Sequence, residues 1–475
     1  MSARLLPFAL VWLVAVAPSV LAQPARVAAS HPSATALDRY VAEPDPAYRW
    51  SVVSTRQEGP LTVTTIEMTS QTWLTRAEID RPEWKHYLTV MRPDGVEGDI
   101  SLLFIGGGAN DRTTLPKTDA MLAAFATRTK TIVTELRMVP NQPLTFFNDG
   151  VARKEDDLIA YGWRKYLDGG DDKWLARLPM TKAAVRAMDT VQAFAQSPEG
   201  GRRAITRFVV AGASKRGWTT WTTAAVDSRV VALMPIVIDV LNLKPSMIHH
   251  YRAYGFWTPA VGDYVTHGIM DRIGDPRFGS LLALTEPYAY RDRLSIPKYI
   301  VNASGDQFFA PDSWQFYFGD LKGESYLRYV PNADHSLKGS KAPEELLAFY
   351  AAIVKNAPRP KFAWKAGADG TLEIAPQDRP VKVTFWQATN PAARDFRIET
   401  LGPVWTATDV QPDAGGVYRA KIEAPAKGFR AGFLEVTFSA DGAAPLVFST
   451  GVRVMPDILP FAPPQAGQPA APSRP

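Results

Sequence analysis

The stretch from Phe208 to Trp218, FVVAGASKRGW, constrains this chain more than any other. Four apolar residues, Phe208 to Ala211, meet Gly212, Ala213 and Ser214. Lys215, Arg216 and Gly217 then lead into WTTWTTAAVD, which has the composition of a helix. Buried strand, tight turn with a serine at its tip, then helix is the order of a nucleophile elbow. A serine at such a turn takes a strained backbone, so small residues must flank it where strand and helix close together. The common pattern is G-x-S-x-G. Here Arg216 stands where the second glycine would be, and Gly217 follows one position later. The competing reading is an ordinary strand-to-helix turn whose serine caps the helix.

The chain around this stretch alternates strand and helix. From Tyr48, WSVVSTRQEGPLTVTTIEMTSQTW holds two β-rich runs about a Glu-Gly-Pro turn, and His86 to Arg92 and Ile100 to Ile105 extend the sheet. Gly106, Gly107 and Gly108 follow directly. A glycine run there leaves backbone N–H groups exposed, as in an oxyanion loop, although a plain glycine-rich turn has the same composition. Thr118 to Thr127 suits a helix and Lys130 to Leu136 a buried strand. A polar and aromatic excursion over Asn141 to Arg177 contains a helix opened by Glu155, Asp156 and Asp157. Met180 to Gln196 has helical spacing; Val230 to Ile238, Lys298 to Ala303 and Tyr326 to Val330 read as strands. This order predicts an α/β protein built on a doubly wound, mostly parallel sheet.

Two later positions carry chemistry. Asp306 follows the KYIVNA strand in Ser304-Gly305-Asp306, and His335 follows the YLRYV strand after a Pro-Asn-Ala-Asp loop. Ends of parallel strands are where ligands and catalytic groups gather. Ser214, Asp306 and His335 therefore stand in the hydrolase order of nucleophile, acid and base. Asp239, which also ends a strand, Asp312 and Asp334 are rivals for the acid. The oxyanion donors expected are the backbone N–H of Lys215 and the loop of Gly107 and Gly108. The Lys215 ammonium either turns back toward the developing charge or points to solvent. Residues 242–293, with His249, His250, His267 and many aromatics, read as a helical cap. Adjacent histidines point to different faces and have no ligand-spaced carboxylates, so no metal is expected. No cofactor is expected either.

The phrases GASKRGW, IVIDVLN, SGDQFFAPDSW and VPNADHSL, with VPNQPL and MTKAAVRAMD upstream, resemble the PhoPQ-activated pathogenicity-related protein family over roughly residues 40–352. The resemblance implies an α/β-hydrolase-like fold and a link, through regulation, to bacterial virulence. It also implies kinship with a eukaryotic secreted proliferation repressor. The offset glycine further resembles glucuronoyl esterases, whose G-x-S-x-x-G carries a cation after the serine; here that is Lys215 or Arg216.

The ends of the chain differ in composition. Residues 1–22 place Arg4 before a short apolar run and end in Val-Leu-Ala, which predicts a cleaved secretory signal and export to the periplasm or beyond. Residues 23–45, rich in Ala, Pro and Ser, read as a flexible leader before a hydrolase domain over 46–357. There is no cysteine, so an exported chain of 475 residues relies on its core and not on disulfides. From Lys361 the text becomes short alternating runs broken by Gly, Pro, Asp and Asn, which predicts an immunoglobulin- or fibronectin-like β-sandwich over 361–456. Residues 457–475 read as a disordered tail. The net charge of +5 is spread without blocks, which argues against nucleic acid as a partner. No transmembrane segment is expected after signal cleavage, and no oligomeric state follows. The expected activity is cleavage of an ester or amide in a small molecule, glycan or peptide, in a virulence or envelope setting. The alternative is a hydrolase fold kept as a binding or signalling factor.

Overall fold

The computed structural model describes residues 34–112, 114–440 and 444–464. The predicted signal and the end of the tail, from residue 465, lie outside them. A nine-stranded sheet forms the body. Its strands are β1 (Arg49–Glu58), β2 (Leu61–Thr72), β3 (Glu83–Pro93), β4 (Ile100–Ile105) and β5 (Val133–Leu136). The chain continues with β6 (Arg207–Ala213), β7 (Val230–Ile236), β8 (Lys298–Ala303) and β9 (Ser325–Val330). In space they run β1-β2-β3-β5-β4-β6-β7-β8-β9. The first three are antiparallel, and β5 through β9 pair in parallel with β4 among them. The parallel strands are nearly all buried because helices cover both faces. This is the α/β-hydrolase architecture.

Helices α1 (Ala36–Ala42), α2 (Ala120–Thr129), α3 (Glu155–Leu167), α4 (Arg177–Gln196) and α5 (Lys215–Val226) precede the cap. The cap itself holds α6 (Leu243–Tyr254), α7 (Gly262–Thr266) and α8 (Pro276–Thr285), and α9 (Ala342–Val354) follows β9. Alternate residues of β6 point to opposite faces. Phe208 and Val210 join the cluster packed on α4 and α5, while Val209 and Ala211 join the one packed on α2 and α9.

The first described residues depart from the expected flexible leader. Thr35 and Asp38 form a reciprocal capping box, and Leu37 and Val41, four apart, are buried. Arg293 pairs with Asp38 at 2.8 Å, so α1 is stapled to the body. The start of the tail departs as well: the Phe461 N–H donates to the Arg252 carbonyl at 3.1 Å, which lays the chain along α6.

The C-terminal strands are β10 (Phe362–Ala366), β11 (Thr371–Pro376), β12 (Lys382–Asn390), β13 (Thr406–Asp409) and β14 (Tyr418–Lys421). After them come β15 (Phe429–Phe438), β16 (Leu446–Ser449) and β17 (Arg453–Met455). They form two antiparallel sheets, β10-β11-β14 and β13-β12-β15-β16 with β17 on β15, in keeping with a β-sandwich. The sandwich lies against the β9 edge. The Tyr329 N–H donates to Ser449 Oγ at 2.9 Å, Tyr299 Oη to the Val447 carbonyl at 2.7 Å, and Arg328 bridges Glu345 and Glu435. Covering an edge this way removes a template for unwanted strand pairing. Both apolar clusters run across residue 361 without a break. Among the described residues no helix is long and apolar enough to cross a membrane.

Candidate active site

The sheet order reverses around β4: β5 lies on one side of it and β6 on the other. Such a switch point opens a crevice at the carboxyl ends of the strands. Ile105 pairs with Gly212, so the glycine loop after β4 and the serine turn after β6 meet there.

Ser214 has φ 57° and ψ −125°, left-handed space that a residue with a Cβ rarely occupies. Its N–H donates to the Ile236 carbonyl at 2.8 Å, and its side chain makes no capping bond to α5. The serine is therefore presented by the turn and does not cap the helix. The displaced glycine has a packing reason. A Cβ on Gly217 would lie 3.0 Å from the carbonyl oxygens of Gly212 and Ile236, so this is where helix and strands close together. Arg216 instead reaches across to the start of α3. Its guanidinium grips Glu155 through two bonds of 2.7 Å, and a Cβ on Gly107 would sit 2.7 Å from its Nη2. Gly107 leaves the room that Arg216 fills.

The Gly106 N–H is occupied by the Leu136 carbonyl at 2.7 Å. Gly108, at φ 130°, needs a residue without Cβ. Lys215 follows neither expectation for its side chain. Its ammonium is buried and lies 3.0 Å from both Glu155 and Asp156. Burial pulls the Glu155 carboxyl up, but Arg216 and Lys215 overcome this and hold it at about 2. Sequence reasoning placed these acids at the start of a helix without seeing what they neutralise. Three acids opening one helix and two adjacent cations opening another were the only signal.

Asp306 and His335 come together. His335 Nδ1 lies 2.8 Å from Asp306 Oδ2, while Asp306 Oδ1 accepts the Phe308 N–H at 2.7 Å. A carboxylate facing Nδ1 places the ring proton there and leaves the lone pair on Nε2. Nε2 is buried and has no hydrogen-bond partner among the described residues. The Phe308 and Phe309 rings pack on the imidazole, with centroids 4.4 and 5.9 Å away. These two phenylalanines, not singled out in the sequence, also line an apolar pocket that Ser214 borders. Residues beyond the sandwich boundary brace both loops. The Ile398 N–H donates to the Gly305 carbonyl at 3.0 Å, and Asn332 exchanges side-chain bonds with the Trp405 backbone.

The rival acids are engaged elsewhere. Asp239 accepts from Tyr317 at 2.7 Å and Tyr329 at 2.5 Å, and burial pushes its carboxyl up to about 8. Asp312 meets His249 at 2.8 Å and Arg394 at 2.7 Å, and Asp334 bonds Ser336. The remaining cap histidines are also placed. His250 Nε2 accepts the Thr258 N–H and His267 pairs with Asp157 at 2.6 Å. Among the described residues no group of three potential ligands could hold a metal ion.

Residues 37–397 match the model of the PhoPQ-activated pathogenicity-related protein family. Autocrine proliferation repressor protein A of Dictyostelium discoideum is 38% identical over 456 residues, which cover 90% of this chain and 92% of that protein. Solved structures that overlap this one include an acetyl xylan esterase from Paenibacillus sp. R4, at TM-score 0.47 and 14% identity. The overlap covers 67% of this chain and 91% of that one. Acetyl xylan esterase 1 from Thermoanaerobacterium sp. JW/SL YS485 overlaps at TM-score 0.44 and 14% identity, covering 67% and 92%. With the family model matched from 37 to 397 and a relative aligned over nearly its whole length, this chain belongs to the PhoPQ-activated pathogenicity-related protein family.

Proposed function

We propose that this protein is an exported serine hydrolase that cleaves an ester or amide bond. The observation that carries the reading is the state of His335: Nδ1 is tied to Asp306, Nε2 is buried with no partner among the described residues, and Phe308 and Phe309, which pack on the ring, line the pocket that Ser214 borders. A buried polar atom left unpaired costs stability, and a general base awaiting a hydroxyl is a reason to keep one.

In this reading the Ser214 Oγ attacks the carbonyl carbon as its proton passes to His335 Nε2. Asp306 stabilises the imidazolium and does not itself take the proton. The oxyanion is held by the backbone N–H of Lys215 and by N–H groups of Gly107 and Gly108. Collapse of the tetrahedral intermediate breaks the bond to the leaving group, which departs with the proton from Nε2. Water then attacks the acyl-serine, His335 takes its proton, and the acid is released as Ser214 is restored.

A second reading, that the fold acts as a non-catalytic binding or signalling factor, is favoured by the name of the Dictyostelium relative. Fluorophosphonate labelling of the full chain separates the two. The hydrolase reading expects labelling of the wild type and none of Ser214→Ala, with His335→Ala strongly slowed. A folded wild type that takes no label leaves the signalling reading in its place.

A further inference from the structure

We infer, resting on the hydrolase reading above, that the substrate carries a large apolar acyl group, such as a medium-length alkanoyl or an aroyl chain, seated beneath the cap. The pocket bordered by Ser214 reaches under α6, α7 and α8. Its walls are Trp163, Trp218, Met247, Ile273, Phe278 and Phe309, with further aliphatic residues between them. Most of these side chains are buried in the free protein, so the pocket is an apolar space within the core and not a surface groove.

Three charged residues reach the pocket wall, and each is already engaged. Lys215 is held by Glu155 and Asp156, and Asp156 also accepts the Tyr264 hydroxyl at 3.1 Å. Arg177 donates to the Lys215 carbonyl at 2.9 Å, and its guanidinium lies 4.4 Å from the centre of the Trp218 ring. A sugar would need several hydrogen-bonding groups turned toward it, and besides Ser214 the wall residues carry only two unpartnered buried donors among the described residues, Trp163 Nε1 and Arg177 Nε. A hydrocarbon or aromatic chain asks only for the apolar area, and each further buried methylene adds to its hold.

The position of the base decides which side of the substrate enters. The leaving group departs with a proton from His335 Nε2, so it must pass that ring. Phe308 and Phe309 line the pocket and pack on the imidazole, which lies outside the wall. The group held under the cap is then the one that stays on Ser214, the acyl group.

The experiment uses the full chain and p-nitrophenyl acetate, butyrate, hexanoate, octanoate and benzoate. The expected result is a kcat/KM that rises at least about tenfold from acetate to hexanoate or octanoate, as extra methylenes enter an apolar pocket. Met247→Phe and, separately, Ile273→Phe fill the pocket and should lower the octanoate-to-acetate ratio; thermal melts show which of the two is folded. A wild type that takes fluorophosphonate but has a flat profile, or one that falls beyond acetate, overturns the acyl-pocket proposal and leaves the hydrolase reading intact. An unchanged ratio in both folded variants overturns the proposal in the same way. A wild type that takes no fluorophosphonate overturns both.

Discussion

Of the three histidine–aspartate pairs among the described residues, two have the same length and differ in what surrounds them. His335 and Asp306 are 2.8 Å apart, and so are His249 and Asp312. In the second pair a third member, Arg394, comes from the sandwich side of the chain and lies 2.7 Å from Asp312 Oδ2. Burial alone would raise the Asp312 carboxyl, but Arg394 and His249 hold it well below the usual range. Among the described residues Asp306 pairs with no lysine or arginine, and the far nitrogen of His335 has no partner. A His–Asp pair closed by an arginine is a structural joint. One left open at Nε2 beside an apolar pocket has the form of a catalytic base.

The largest contrast is expected between the two histidines. His335→Ala should lower kcat on any cleaved ester by about ten-thousand-fold, with little change in the thermal midpoint. His249→Ala should do the reverse, costing about 1.5–3 kcal/mol for a lost bond to a buried charge while kcat stays within a few-fold. Stability from urea melts and kcat from one ester decide it. Similar kcat losses in both would erase the distinction.

Arg394→Met tests whether the second pair is a joint. It strands the buried Asp312 carboxylate with His249 and the neutral Gln315 as its hydrogen-bond partners and should destabilise the protein by about 3–5 kcal/mol. Adding Asp312→Leu removes the stranded charge and should restore most of that loss. No recovery in the double variant would mean that Arg394 acts through packing alone.

Asp239 lies close enough to both pairs for the charges of Asp306 and Asp312 to add to the burial that raises its carboxyl to about 8. The native state thus keeps a proton that the unfolded chain releases near pH ~4. Stability from this site is full below that pH and is lost as pH climbs to about 8, at roughly 1.4 kcal/mol per unit. Asp239→Asn, neutral throughout, should flatten the decline. Urea midpoints of variant and wild type taken at pH 5 and pH 8 measure it, and parallel declines would refute the assignment.

The smallest effect is expected at Lys215. Glu155 keeps Arg216 and Gln142, and Asp156 keeps Tyr264, when the ammonium is removed. Lys215→Met should therefore cost about 1 kcal/mol of stability and change kcat less than about threefold, because the proposed oxyanion donor there is the backbone N–H. A drop in kcat beyond a hundredfold with unchanged KM would return the ammonium to the oxyanion.

The sequence by itself determined the parallel sheet, the elbow at Ser214 and the candidates Asp306 and His335. These are local signals: an apolar run followed by a turn residue reports a strand end whatever lies elsewhere, and parallel strands bring such ends to one rim. It also carried the β-sandwich, since period-two alternation and turn residues are written within a few positions. Thr35 and Asp38 cap α1 as legibly, but they stand inside an Ala- and Pro-rich stretch whose composition masked them. Only the tertiary structure decided which aspartate meets His335, because Asp306, Asp239 and Asp312 all stand at or just beyond strand ends and differ in neighbours distant in the chain. It alone turned Lys215 toward Glu155 and Asp156, brought Arg394 to Asp312 across 82 positions, and packed Phe308 and Phe309 on both the base and the pocket. Charge pairing and cavity shape depend on where packed side chains come to rest, and no short window of sequence encodes that.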